Sequence, residues 1–261
     1  MPDIQWTDDL TACAELVERG DAARFRTTMA APPEARLALF PLWAFNIEVS
    51  RAPWVTQEPM IAEMRLQWWR DALEEIRLGE GIRRHEVVTP LSARLTADGA
   101  GLLDQLIEAR RWDIWKEPFE DEAHFRRYLD QTSGHLLRAG GGMLGGALAE
   151  AVAADAGFVL GLAAWFRAIP ALEAAGRLPL PDGRDRAVEA LAAEGLTRAR
   201  ALRARRREIA GSLGPLFYGL PEAVAVLKLA LATPARVKAG ALETAPLAQR
   251  LGLLRASFGR W

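Results

Sequence analysis

Residues 36–79, RLALFPLWAFNIEVSRAPWVTQEPMIAEMRLQWWRDALEEIRLG, limit the fold more than any other part of the chain. Leu37, Phe40, Trp43 and Ala44 recur at the three-and-four spacing of one helix face. Met60, Met64, Trp68 and Ala72 repeat that spacing after a break near Pro53. Glu58-Pro59 marks the second helix start, because proline suits a first turn in which its missing N–H has no partner to lose. Trp68-Trp69 sets two indoles on different faces of that helix. The stretch predicts a helical pair with aromatics inside and charge at the turn, for which the rest of the chain supplies walls.

The other segments agree with a helical fold. Alanine, leucine, arginine and glutamate, all good helix formers, recur throughout, and runs of β-branched residues with period two are few. The pattern predicts helices over residues 11–20 (with Thr7, Asp8 and Asp9 as N-cap candidates), 21–29, 91–95, 102–115, 121–148 with a break near Gly140, 149–176, 185–212, 221–232 and 245–258. Asp98-Gly99 separates two of them. Residues 78–90 read as loop, and Arg177-Leu178-Pro179-Leu180-Pro181-Asp182-Gly183 cannot be helix. The fold class is therefore all-α, with one domain over residues 1–261.

Charge and cysteine count narrow the function. A formal net charge of −1 gives no general attraction to nucleic acid or anionic lipid, so nucleic acid is not an expected partner. One cysteine, Cys13, excludes an intrachain disulfide, and three dispersed histidines argue against a histidine metal site. The N-terminus lacks the basic-then-apolar pattern of a secretory signal. No run of about 18 apolar residues reads as a membrane span. A cytoplasmic protein is expected.

Three local features carry a choice of readings. The glycines between Ser133 and Gly146 suggest close helix approach or a cavity wall, and tight packing with a helix break is the simpler account. The six arginines between Arg198 and Arg207 read as a solvated helix face that can also meet anionic lipid. Asp71, Glu74 and Glu75 share a helix face and could gather a cation, but neighbouring Arg65, Arg70 and Arg77 favour ion pairs.

The order of short words along the chain resembles the squalene/phytoene synthase family. They are Phe25, Arg36, Trp43-Ala44-Phe45, Trp68, Tyr128 followed by Gly134, and Gly176-Arg177-Leu178-Pro179-Leu180-Pro181. The resemblance implies an isoprenoid-synthase-like helical bundle around a central cavity. Active members join two isoprenoid diphosphates head to head with magnesium held by two aspartate-rich helical motifs. At the first motif this chain has Ser50, Arg51 and Trp54; counting back from Gly176-Arg177-Leu178-Pro179-Leu180-Pro181, the second motif retains Arg167 but has Ala168 and Leu172 where the resemblance implies aspartates, with Pro170 interrupting the helix. Alanine and leucine cannot ligate magnesium, and an arginine repels it.

One branch of the family fits these losses, the one resembling the mitochondrial respiratory complex I assembly factor and its bacterial relatives. Its words are Phe45-Asn46-Ile47-Glu48 and the fourteen residues from Glu58 to Asp71. The resemblance implies a non-catalytic protein with no cofactor. It assists complex I assembly, holds an isoprenoid or lipid ligand, and makes weak peripheral contact with the inner membrane face. Cavity residues implied are Phe45, Asn46, Glu48, Glu63, Gln67, Tyr128, Gly134 and Arg167. The rival is an active prenyltransferase in which Glu48, Glu58, Glu63, Asp71 and Glu74 hold magnesium. A helical scaffold that binds nothing small is the third reading.

Overall fold

The computed structural model describes residues 6–56 and 58–261, and its regular structure there is helical. The chain divides into two compact units. One runs to Trp115 and includes Arg138–Ala147; the other comprises Lys116–Leu137 and Leu148–Trp261.

The first unit is built on α3 (Pro33–Arg51), whose side chains from Ala38 to Ile47 are all buried. Helices α1 (Asp8–Gly20), α2 (Ala22–Met29), α4 (Pro59–Leu78), α5 (Val88–Ser92) and α6 (Ala97–Trp115) pack around it. Burial on several sides explains why α3 lacks a polar stripe and tolerates Pro41 in its interior. Local signals set the ends. The Thr7 hydroxyl accepts from the Leu10 amide and starts α1. Pro59 opens α4, and Gly79, at φ 71°, closes it with a left-handed residue. The Cys13 thiol is buried and donates to the Glu86 carbonyl at 3.4 Å. Burial, with Glu86 and Asp9 nearby, pushes its pKa up to about 12, which makes it a packing group.

The second unit is organised by α9 (Glu150–Ala174), a long apolar helix that meets neighbours on several sides. These are α7 (Glu122–Leu129), a π-helical turn over Asp130–Gly134, α10 (Asp185–Ala204), α11 (Leu220–Ala232) and α12 (Ala235–Lys238). Two 3₁₀ turns, Arg206–Glu208 and Gly211–Phe217, lead into α11, on which α13 (Pro246–Ser257) rests. Helix α8 (His135–Met143) divides between the units after Leu137.

Several expectations are corrected. Asp98-Gly99 lies inside α6, and helix already forms at Val88–Ser92. The irregularity in the 121–148 segment is the π turn at Asp130–Gly134, and α8 runs through Gly140 to Met143. Helix α9 continues through Pro170, because packing outweighs the roughly 3 kcal/mol that an interior proline costs. Met60 and Met64 are 70% and 66% exposed, and α4 instead buries Ala62, Leu66, Trp69, Ala72, Leu73 and Ile76. Helix α9 and the segment Gly211–Ala232 are long and apolar enough to cross a membrane by length and composition, against the expectation of none. More than half of each is buried among its neighbours, as core helices are.

Candidate functional site

The residues implied as cavity-lining fall in both units, and most are engaged in packing or ion pairs. Phe45 is buried edge-on against Trp69, with ring centroids 5.4 Å apart. Asn46, one position on, is buried, and Glu48 is half-buried. Glu63 accepts from the Arg111 Nε at 2.8 Å. Arg111 also reaches Glu108 at 3.2 Å, Arg70 reaches the same Glu108 at 3.0 Å, and Arg70 grips Asp104 through two bonds of 2.7 and 3.1 Å. This ladder runs from Glu63 to Asp104 and stitches α4 to α6. The Asp104 hydrogen bond outweighs partial burial and holds the Arg70 pKa above its ordinary value. Gln67 is exposed and donates to Asp71 at 2.8 Å. It lines an open, charged cleft of about 410 Å³ whose walls are α4 and α6.

The acidic cluster on α4 resolves as pairs. Glu74 binds Arg77 at 2.6 Å, and Glu75 binds Arg83, which also lies 4.8 Å over the Trp68 ring. Among the described residues no three histidines, cysteines or carboxylates group so as to hold a metal ion.

In the second unit Tyr128 belongs to an aromatic cluster with Phe119, Phe125 and Trp165, with centroids 5.1–5.9 Å apart. Sequence reasoning missed Trp165. Its indole N–H donates to the Pro179 carbonyl at 2.7 Å. That bond gives the Gly-Arg-Leu-Pro-Leu-Pro word a structural account. Gly176, at φ 76°, ends α9, and the Arg177 amide reaches back to the Leu172 carbonyl at 3.0 Å in a Schellman closure. Gly134 is a contact point: a Cβ added to Gly157 on α9 would lie 2.6 Å from the Gly134 Cα. Arg167 pairs with Glu222 at 2.7 Å. In the first unit Arg36 caps the turn before α3, donating to the Ala31 and Met29 carbonyls at 2.9 and 2.7 Å.

The motif positions do not fit magnesium. The Ser50 hydroxyl donates back to the Ile47 carbonyl at 3.0 Å. Arg51 is exposed at the end of α3, and Trp54 is 44% exposed in the turn beyond it. On α9, Ala168 is half-buried and Leu172 is buried. Hard oxygen ligands are what magnesium needs, and one serine hydroxyl is the only side-chain oxygen in this set.

A charge network fixes α10. The Glu194 carboxylate accepts from Arg126 and Arg198, both at 2.8 Å. Burial pushes its pKa up, but the two guanidiniums outweigh burial and hold it below the ordinary carboxylate range. A folded pKa below the unfolded one means stability that is present above pH ~4.3 and lost as pH falls through the folded value. Glu194→Gln is expected to cost about 1 kcal/mol at pH 7. Urea unfolding at stepped pH should show the difference from the parent shrinking on acidification.

The squalene/phytoene synthase family profile matches residues 17–251. Among curated relatives, a Drosophila melanogaster homologue of NADH dehydrogenase (ubiquinone) complex I assembly factor 6 is 32% identical over 179 residues, covering 65% of this chain and 52% of its own length. The Homo sapiens assembly factor 6 is 24% identical over 137 residues, 48% of this chain and 38% of that protein. The chain thus spans about half or less of the length of the curated relatives it matches. Among solved structures, a dehydrosqualene synthase in complex with ligand superposes with a TM-score of 0.71 at 11% identity, over 95% of each chain. The squalene synthase HpnC from Alicyclobacillus acidocaldarius superposes with a TM-score of 0.69 at 18% identity, over 87% of this chain and 94% of that one. The fold is that of these synthases, and the chain belongs to the squalene/phytoene synthase family.

Proposed function

We propose that this protein is a non-catalytic member of its family that assists assembly of the respiratory NADH–quinone oxidoreductase. In this reading residues 1–261 serve as one family domain. The protein is cytoplasmic, sits peripherally at the inner face of a membrane, and binds an isoprenoid or other lipid. The observation that carries the non-catalytic part is the absence of any carboxylate among Ser50, Arg51, Trp54, Ala168 and Leu172, the positions where the family resemblance places the metal-holding aspartates. Departure of a diphosphate leaves an allylic cation, and the leaving group's charge must be neutralised as it forms. A serine hydroxyl, an arginine and three apolar side chains cannot supply that through magnesium. Of the alternative carboxylates, Glu63, Asp71 and Glu74 are already engaged with Arg111, Gln67 and Arg77, and these three with Glu48 and Glu58 all belong to the α3–α4 stretch of the first unit, which argues against a clamp with two facing halves. The assembly part is supported by the relatives named complex I assembly factor 6.

The chemical half has a direct assay. The protein is incubated with farnesyl or geranylgeranyl diphosphate and magnesium, and pyrophosphate is measured. Release at the rate of the protein-free control is expected. Faster release, with a head-to-head product in the organic extract, would mean an active prenyltransferase.

A further inference from the structure

Helix α13 has two apolar faces and one packing partner surface. Its inner face is made of small residues. Ala256 is buried, and a Cβ added to Gly252 would meet Pro221 of α11 at 3.0 Å. Trp261 stacks on Phe217 at 4.8 Å with the rings 16° from parallel, which pins the segment beyond the helix. On the opposite side Leu247, Leu251, Leu254 and Phe258 are 69%, 47%, 55% and 75% exposed. Their spacing of four, three and four residues keeps them within an arc of about 60°. Arg250 and Arg255 flank that stripe on its two sides, and both are exposed.

An ordinary surface helix is apolar on its packed face only, and a helix apolar on both faces is covered on both. The cover here is identified by charge. From Pro246 to Trp261 the chain carries Arg250, Arg255 and Arg260 and no acidic residue, although the whole chain is formally −1. The nearest preceding acid, Glu243, lies outside the helix. Leucine and phenylalanine along a line, with arginines at its edges, match the boundary between acyl chains and anionic headgroups. We propose that α13 is the membrane-docking element of this protein and lies flat on anionic phospholipid with Leu247, Leu251, Leu254 and Phe258 inserted. The 198–207 segment is a poorer candidate. Arg198 is held by Glu194 and Asp155 and lies over the Phe158 ring, and Arg205 is held by Asp155. The inference deepens the peripheral-membrane part of the proposed function and is independent of the assembly part.

Sedimentation with phosphatidylcholine vesicles, with and without phosphatidylglycerol, tests it. The full chain should sediment with the anionic vesicles, less so as salt rises, and weakly with phosphatidylcholine alone. L251D/L254D, at exposed positions, should keep the parent's helical circular dichroism and lose vesicle binding about tenfold or more. R250Q/R255Q should lose binding about 25-fold to anionic vesicles, at roughly fivefold per arginine, and should lose most of the salt dependence. Absence of binding by the parent chain would overturn the proposal. So would binding by folded L251D/L254D equal to the parent's, and so would self-association through Leu251 and Leu254 without vesicle binding. Those failures leave the assembly reading standing, because loss of the oxidoreductase in a deletion strain is scored separately.

Discussion

Gly157→Ala is expected to destabilise the protein by roughly 3 kcal/mol, and Gly157→Val to prevent folding of the second unit. An added Cβ at this position would lie 2.6 Å from the Gly134 Cα and 2.7 Å from its nitrogen. The obstacle is backbone, so no side-chain rotation relieves it. One turn on, a Cβ at Gly161 would meet the Ser133 Cβ at 2.9 Å, so the π turn Asp130–Gly134 lies against α9 along two consecutive turns of small residues. Gly101→Ala is the internal control. That glycine is helical with nothing within 4 Å of its missing Cβ, and the change should stabilise by about 0.5–1 kcal/mol through helix propensity. Urea unfolding midpoints of the three variants check the order; a Gly157→Ala midpoint equal to the parent's would show that α9 and the π turn can move apart.

Trp165→Ala should cost about 3–5 kcal/mol from the cavity it opens among Phe119, Phe125 and Tyr128. It also leaves the Pro179 carbonyl without its 2.7 Å donor, which adds about 1–3 kcal/mol where no water replaces it. Trp165→Phe keeps part of the ring packing but loses the donor and the remaining indole volume, so it should fall between alanine and the parent. Thermal unfolding, with near-ultraviolet circular dichroism as the report on aromatic packing, separates the two losses. Equal damage from phenylalanine and alanine would assign the tryptophan's importance to what phenylalanine lacks, the donor and the remaining indole volume.

How much of this was legible in the sequence depends on how far each cause reaches along the chain. Thr7 and Glu58-Pro59 were readable because a helix start is set by residues within a few positions of it. Pro170 and Asp98-Gly99 read as breaks because their local cost is real, and only packing of α9 and α6 inside their units outweighs it. The face of α4 was misread for a different reason. Met60-Met64-Trp68-Ala72 and Ala62-Leu66-Trp69-Leu73-Ile76 both satisfy helical spacing, and burial of the second set decides between them. At the site, what was readable is which atoms Ser50, Arg51, Trp54, Ala168 and Leu172 offer: one hydroxyl oxygen and no carboxylate. The destination of Glu63 was not readable, since its partner Arg111 lies 48 residues on. Nor was the role of Gly134, which depends on Gly157 across the π turn.

The central claim is that a family member without its metal clamp serves the respiratory oxidoreductase. Its most direct test is deletion of the gene, followed by quantification of assembled NADH–quinone oxidoreductase on a native gel with an in-gel activity stain. The account predicts a marked loss of the assembled enzyme, restored by the parent gene, with squalene-type and carotenoid products unchanged. Normal oxidoreductase levels accompanied by loss of a head-to-head isoprenoid product would contradict it.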